Sequence, residues 1–445
     1  MTASPTQEVA PADAPAPRGR LLAWLQDSSL PYVGSLVVTA MLAGYANYLS
    51  PLVFPDGFTI KGQSLAIVIP FVLFPVTLVL WLVYRGHRSR SVWVQWFLIA
   101  MSVAWLVHMA IARYHGDQHT HLVWLYVPIL ALLLFKAPSS DEAWAALILL
   151  GWLAVVILIL TKVLESMGAI PVFHVDQGIL DWEKGRYWLP LDGHFGFNGR
   201  WPGPFGFNSK TGFVSVFLIL LGFAKWTRSS WVFIPVGVLG ILATGGRGSL
   251  LSLLTGVAVL CVFAVSGPIA RIPLWLRMSA GAAAVLLLGY VFLASPTSTT
   301  GRTGPGGIWT AFVAQWQSAP VFGVGQSGLS TAGGQVAISM EAHSLYIQEL
   351  AKFGIVGFAV QYLAIGIGLV VLAIAAYRGL SGPLAIVAAF FMASVTEIFH
   401  DGWQEHSSYG FMVILSVLTA GAWLLERSSA DAEQRSDGLA LQPVE

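Results

Sequence analysis

The run AWAALILLGWLAVVILILTKVL at residues 143–164 decides the fold. Its first nineteen residues, Ala143 to Thr161, carry no charge. At about 1.5 Å per residue, a helix of that length matches the roughly 30 Å of hydrocarbon in a bilayer. Lipid offers no partner to backbone N–H and C=O groups, so a single apolar segment of this kind satisfies them only as a helix. Comparable runs recur at about 31–50, 62–84, 91–112, 120–136, 209–224, 230–245, 248–266, 277–294, 355–377, 382–399 and 409–426. Together they predict an all-α, polytopic integral membrane protein of about twelve transmembrane helices. The pair flanking Arg247 is short enough to form one broken helix instead.

Composition excludes the common alternatives. Hydrophobic residues make up 56% of the 445-residue chain, charged residues 10%, and mean hydropathy is +0.72. Soluble domains carry roughly 25% charged residues, so this chain cannot cover itself with a solvated surface. The one cysteine, Cys261, lies inside an apolar run, which excludes a disulfide framework or a cysteine metal cluster. No basic tract or tandem repeat points to nucleic acid. Residues 1–30, rich in Ala and Pro, lack the apolar stretch of a cleavable signal and read as a disordered tail, as do residues 427–445.

Short-loop charge sets the expected orientation. Arg85, Arg88, Arg90, Lys136, Lys225, Arg228, Arg271, Arg277 and Arg378 all fall on the side of Arg18 and Arg20. The positive-inside rule makes that side cytoplasmic and puts both termini there. Helices 1–5 then occupy 31–164, helices 6–9 occupy 209–294 and helices 10–12 occupy 355–426. Two long segments, 165–208 and 295–354, face outward; loops of that length are usually functional.

Four titratable residues sit on that outer side. Arg200 lies in GRWPGPFGFN (199–208), Arg247 in ATGGRGSLL (243–251), Arg302 in GRTGPGGIW (301–309) and His343 in EAHSLYIQELAKFGIVG (341–357). Ionisable groups at membrane depth are costly and are functional candidates. Outer arginines also bind lipid head groups or pair with carboxylates, which is the plain structural reading. Guanidinium forks hold phosphate oxygens in pairs and stay charged at every working pH. Gly245, Gly246 and Gly248 let the backbone around Arg247 approach a ligand, and a helix starting at Gly248 adds N–H groups that favour an anion. A diphosphate-linked lipid carrier suits this set. His343 is either a hydrogen-bonded structural histidine or a base for a sugar hydroxyl, with Glu341 two residues away. Helical periodicity turns Leu345, Ile347, Leu350 and Ala351 one way and His343, Ser344 and Gln348 another. Asp181 and Glu183 form a D-x-E pair that a divalent metal would fit, although Lys184 and Arg186 beside them favour a loop salt-bridge cluster. His400, Asp401, Glu405 and His406 make a further outer cluster.

At these residues the chain resembles the O-antigen ligase and O-antigen polymerase superfamily. The resemblance rests on four stretches in order: Arg200, Gly203, Phe205 and Asn208; Arg247 and Gly248; Arg302, Trp309, Pro320, Gly323 and Gly325; and His343, Tyr346, Gly354 and Gly357. It covers about 199–360 clearly and the rest through span count. Two positions depart from it: Ser344 stands where Asn is frequent, and Lys352 where an acidic residue is common.

The resemblance implies a metal-independent, cofactor-free, inverting transfer from an undecaprenyl-diphosphate-linked glycan to a hydroxyl in cell-surface polysaccharide biosynthesis. Arg200, Arg247 and Arg302 would bind the diphosphate, His343 would be the base, and Gly248, Asn208, Glu341 and Tyr346 would support them. The acceptor (glycan, lipid or protein) stays open, as does ligation against polymerisation. The rival expectations are a metal-dependent transferase using Asp181 and Glu183, and a transporter of a lipid or solute.

Overall fold

A computed structural model of the chain describes residues 17–39, 42, 59–60, 63–86, 92–116, 135–136, 140–169, 201, 203–205, 208–264, 267–293, 308–325, 328–329, 344–377 and 380–396. These residues are helical apart from turns and one two-residue antiparallel hairpin, β1 (Thr59–Ile60) with β2 (Gln63–Ser64). The spans expected at 120–136 (bar its last two residues) and 409–426, the tail 427–445 and the cluster at His400–His406 lie outside the described residues.

The helices are α1 (Pro17–Asp27), α2 (Leu30–Thr39), α3 (Leu65–Val83), α4 (Val92–Tyr114) and α5 (Ser140–Ser166). There follow α6 (Asn208–Ala224), α7 (Ser230–Thr244), α8 (Arg247–Phe263), the single turn α9 (Gly267–Ala270) and α10 (Leu274–Leu293). The last three are α11 (Ile308–Ser318), α12 (Leu345–Tyr377) and α13 (Ser381–Thr396). Helix α1 occupies part of the stretch expected to be disordered: Pro17 suits a first helical position, and Leu21, Leu22 and Trp24 follow it on an exposed surface.

Helices α4, α5 and α12 are long and apolar enough to cross a membrane, and the chain is a membrane-associated protein. Its surface supports this. On α4 the exposed residues are Trp93, Trp96, Ile99, Val103 and Leu106, while Val94, Phe97, Leu98, Met101 and His108 are buried. On α5, Val156, Ile159, Leu160 and Val163 are likewise exposed. An apolar stripe of this extent is a liability in water and the normal solvent face in lipid.

Helix α6 is the centre of the bundle, buried continuously from Lys210 to Gly222. Helix α7 packs antiparallel on it through glycines: a Cβ at Gly237 would lie 2.5 Å from the Ser215 carbonyl oxygen, and one at Gly240 2.1 Å from Ser215 Oγ. Gly245 caps α7 in the left-handed region (φ 57°), its N–H donating to the Ile241 carbonyl at 3.0 Å. The chain then reverses, and α8 runs parallel to α6, Gly212 meeting Ser249 and Leu220 meeting Gly256. The pair around Arg247 is therefore a tight hairpin. Helix α13 runs back along both α6 and α8, with Phe213 edge-on to Phe390 (4.5 Å) and Gly382 against Ala224.

One end of this bundle is basic. There Glu142 accepts hydrogen bonds from Ser28 Oγ, Ser29 N–H and Ser29 Oγ at 2.6–2.8 Å. The Lys136 ammonium donates to the Trp81 carbonyl in the last turn of α3 at 2.7 Å and to the Tyr84 carbonyl just beyond it, as suits a cation at a helix C-terminus. Lys225 lies 5.2 Å over the Trp144 ring, and Arg277 donates to the Ala264 carbonyl. Arg113, Lys162, Lys210 and Arg247 lie toward the opposite end.

The tenth expected span begins ten residues early, at Leu345, because α12 is two helices joined at a break. Gly354 there has φ 64° and ψ −169°. The segment after α11 fills the gap: the Pro320 and Val321 carbonyls accept from Ile355 N–H (2.9 Å) and Val356 N–H (3.1 Å), while Val324 N–H donates to the Ala351 carbonyl (2.9 Å). Irregular backbone inside an apolar helix survives only when its polar groups are satisfied in this way. Gly354→Ala would place a Cβ 2.3 Å from the Val321 oxygen and hold alanine in a backbone region costing about 1–3 kcal/mol. It is expected to reduce the yield of folded monomer on gel filtration in detergent. Gly366→Ala on the same helix, with nothing within 4 Å of its Cβ position, should not; equal yields would contradict this account of the break.

Candidate functional site

The described parts of the four motif stretches come together in two pairs, and the pairs share one end of the bundle. The first pair joins the Arg200 and Arg247 stretches. Trp201 N–H donates to the Ala243 carbonyl at 3.0 Å, and its indole N–H to Glu165 Oε2 at 2.8 Å at the end of α5. Lys162 lies 3.7 Å from the same carboxylate oxygen. Gly203 (φ 63°) sits on the first turn of α6, where a Cβ would come 2.4 Å from the Thr211 side chain.

The second pair joins the third and fourth stretches. Pro320, Gly323 and Gly325 belong to the segment that fills the α12 break; Gly323 (φ 72°) would press a Cβ within 2.3 Å of the Lys352 backbone. The end of α4 closes over it, His115 Nε2 lying 3.1 Å from the Phe322 carbonyl oxygen. Helix α13 links the pairs: Phe390 meets Phe213 of α6 edge-on, and the Phe391 carbonyl accepts from Tyr346 Oη at 2.9 Å. The N-terminal ends of α6, α8 and α12 thus lie at one end, opposite the basic one.

Among the expected site residues, Asn208 opens α6, Arg247 opens α8 with Gly248 after it, and Tyr346 is the second residue of α12. Arg200, Arg302, Glu341 and His343 lie outside the described residues, as do Asp181 and Glu183. The described chain resumes at Ser344, which is buried.

The first turns of α12 do not divide into one buried and one exposed face along the expected lines, since Leu345 and Ala351 are buried. Ser344, Gln348, Glu349 and Lys352 are buried, and Ile347 and Leu350 only half so. Where lipid is the surroundings, polar side chains turn toward protein partners. For Glu349 the partner is on α4. His108, 2% exposed, places Nε2 3.4 Å from Glu349 Oε2, and its Nδ1 lies 2.9 Å from the Ala104 carbonyl. Phe353 meets the imidazole edge-on at 4.5 Å. Sequence reasoning missed this pair because His108 sits 241 positions from Glu349, inside a run that reads as an ordinary span.

No protein-family model matches the chain, and no curated protein matches it.

Proposed function

We propose that the chain is a multi-pass glycosyltransferase of the O-antigen ligase type, with about twelve spans, in the cytoplasmic membrane. It transfers or polymerises glycan from an undecaprenyl-diphosphate-linked donor onto an acceptor hydroxyl at the outer face, in cell-surface polysaccharide biosynthesis. The observation that carries this is the meeting of the described parts of the four motif stretches at the end of the bundle away from the basic loops. Positive-inside charge makes the basic end cytoplasmic, so the helix N-termini face outward. Those termini favour an anion at the lipid surface.

In this reading Arg200, Arg247 and Arg302 bind the diphosphate. His343 takes the proton of the acceptor hydroxyl while its oxygen attacks the anomeric carbon from the opposite face. The sugar–phosphate bond breaks, and undecaprenyl diphosphate leaves with its charge balanced by the guanidiniums.

The test is release of undecaprenyl diphosphate from a lipid-linked oligosaccharide by the purified chain in proteoliposomes supplied with envelope acceptors. Release that persists in chelator is expected. No release from any such donor would refute the assignment, and loss on chelation with recovery on adding a divalent ion would move the chemistry to Asp181 and Glu183.

A further inference from the structure

We propose that Ser249, together with the free N–H groups of the first turn of α8, is a binding site for one phosphate group of a diphosphate. The proposal rests on the function above and names a donor contact that the arginines do not account for.

Helix α8 has 17 residues, and its N-cap, Gly246, offers no side chain to the first turn. The first bond made within it is Leu250 N–H to the Gly246 carbonyl at 3.2 Å. The N–H groups of residues 247–249 therefore point off the end of the helix. Helix α6 lies parallel, with Gly212 against Ser249, so two positive dipole ends coincide.

The second observation concerns the hydroxyl. Ser249 is 3% exposed, and its Oγ has no hydrogen-bond partner among the described residues. Its neighbours differ. Ser252 Oγ donates to the Gly248 carbonyl (2.8 Å), Thr255 Oγ1 to Leu251 (2.9 Å), Ser215 Oγ to Thr211 (2.8 Å) and Thr244 Oγ1 to Ile241 (3.1 Å). Ser249 does not bond back along its helix; its Oγ turns toward the helix mouth, 3.0 Å from the Cβ position of Gly246 and 2.1 Å from that of Gly212. Two glycines thus keep side chains away from a buried donor. An unsatisfied buried hydroxyl is costly, and beside a helix N-terminus the complementary group is an anionic oxygen. Arg247 is the first residue of α8, and a basic residue at that sequence position favours phosphate over a neutral sugar oxygen.

The test compares wild type, Ser249→Ala and Ser252→Ala in nanodiscs of zwitterionic lipid, titrated with inorganic pyrophosphate. A hydrogen bond to a charged group is strong enough that Ser249→Ala should bind about tenfold more weakly or worse. Removing a buried hydroxyl that has no partner should also raise the ligand-free melting temperature. Ser252→Ala, which removes a bonded hydroxyl, should bind as wild type and melt lower. Unchanged pyrophosphate binding in Ser249→Ala, or none by wild type, overturns the proposal. Competition by phosphatidylglycerol as effective as that by pyrophosphate overturns the diphosphate assignment in favour of a lipid head group. Serine-dependent binding in a chain that transfers no glycan would refute the function and uphold this site; intact transfer with unchanged binding would do the reverse.

Discussion

Arg247→Ala is expected to lower the rate of glycan transfer by about 10²–10³-fold while leaving the bundle folded. Arg247 opens α8 at the turn that also receives Trp201. In the proposed transfer, the Arg247 guanidinium acts on charge that develops only as the sugar–diphosphate bond breaks, so its loss falls on the chemical step; removing one such preorganised group costs about 3–4 kcal/mol. Arg247→Lys keeps the charge but loses the planar fork and should recover only part of the rate. His343→Ala should cost about 10²–10⁴-fold, the usual contribution of a general base. It should also remove the acidic limb of the pH–rate profile, because that limb reports protonation of the base. Initial rates of undecaprenyl diphosphate release, with gel filtration as the folding control, decide the matter. Wild-type rates in either alanine variant would remove that residue from the mechanism.

Much of the fold was legible because apolar run length and loop charge are local properties. The expected edges of the spans at 143–164, 209–224 and 230–245 lie within a few residues of α5, α6 and α7. The helix ahead of the break in α12 was not placed as part of a span: the expected span starts at 355, one residue past Gly354, and the turns from Leu345 were counted with the outer segment. Only the carbonyls of Pro320 and Val321, arriving from another segment, show that Gly354 ends one helix and Ile355 begins the next. Candidate site residues stood out in the sequence as types expected to be scarce on the outer side of a membrane. Their pairing was not legible: nothing in the sequence says that Trp201 meets Ala243, or that the segment at 320–325 enters the helix that follows His343. Ser249 escaped notice because a serine in a membrane helix usually bonds its own backbone, and only its geometry shows that it does not.

Lys352, which stands where the O-antigen ligase pattern that the sequence resembles has an acidic residue, lies one turn after the acidic Glu349. Glu349 and Lys352 share a buried face of α12, being three residues apart, and His108 brings a third titratable group to Glu349. The Nδ1 of His108 faces a carbonyl, which can only accept, so Nδ1 carries a proton and Nε2 is the atom presented to the carboxylate. Glu349→Ala removes one partner of a buried pair and should destabilise the protein by about 3–5 kcal/mol. Glu349→Gln should lose much less, because its amide N–H can donate to Nε2 of a neutral imidazole. The double variant His108→Leu/Glu349→Leu should also exceed Glu349→Ala in stability, since no titratable half of the pair is left behind. Thermal unfolding in detergent, run on the four proteins, orders them. If Glu349→Ala melts with Glu349→Gln, the contact is incidental. If it melts far below while the double variant recovers, the pair fastens the first turns of α12 to α4. Because α12 is broken at Gly354, those turns are not held by the rest of their own helix, and this fastening then governs where the segment bearing His343 can stand.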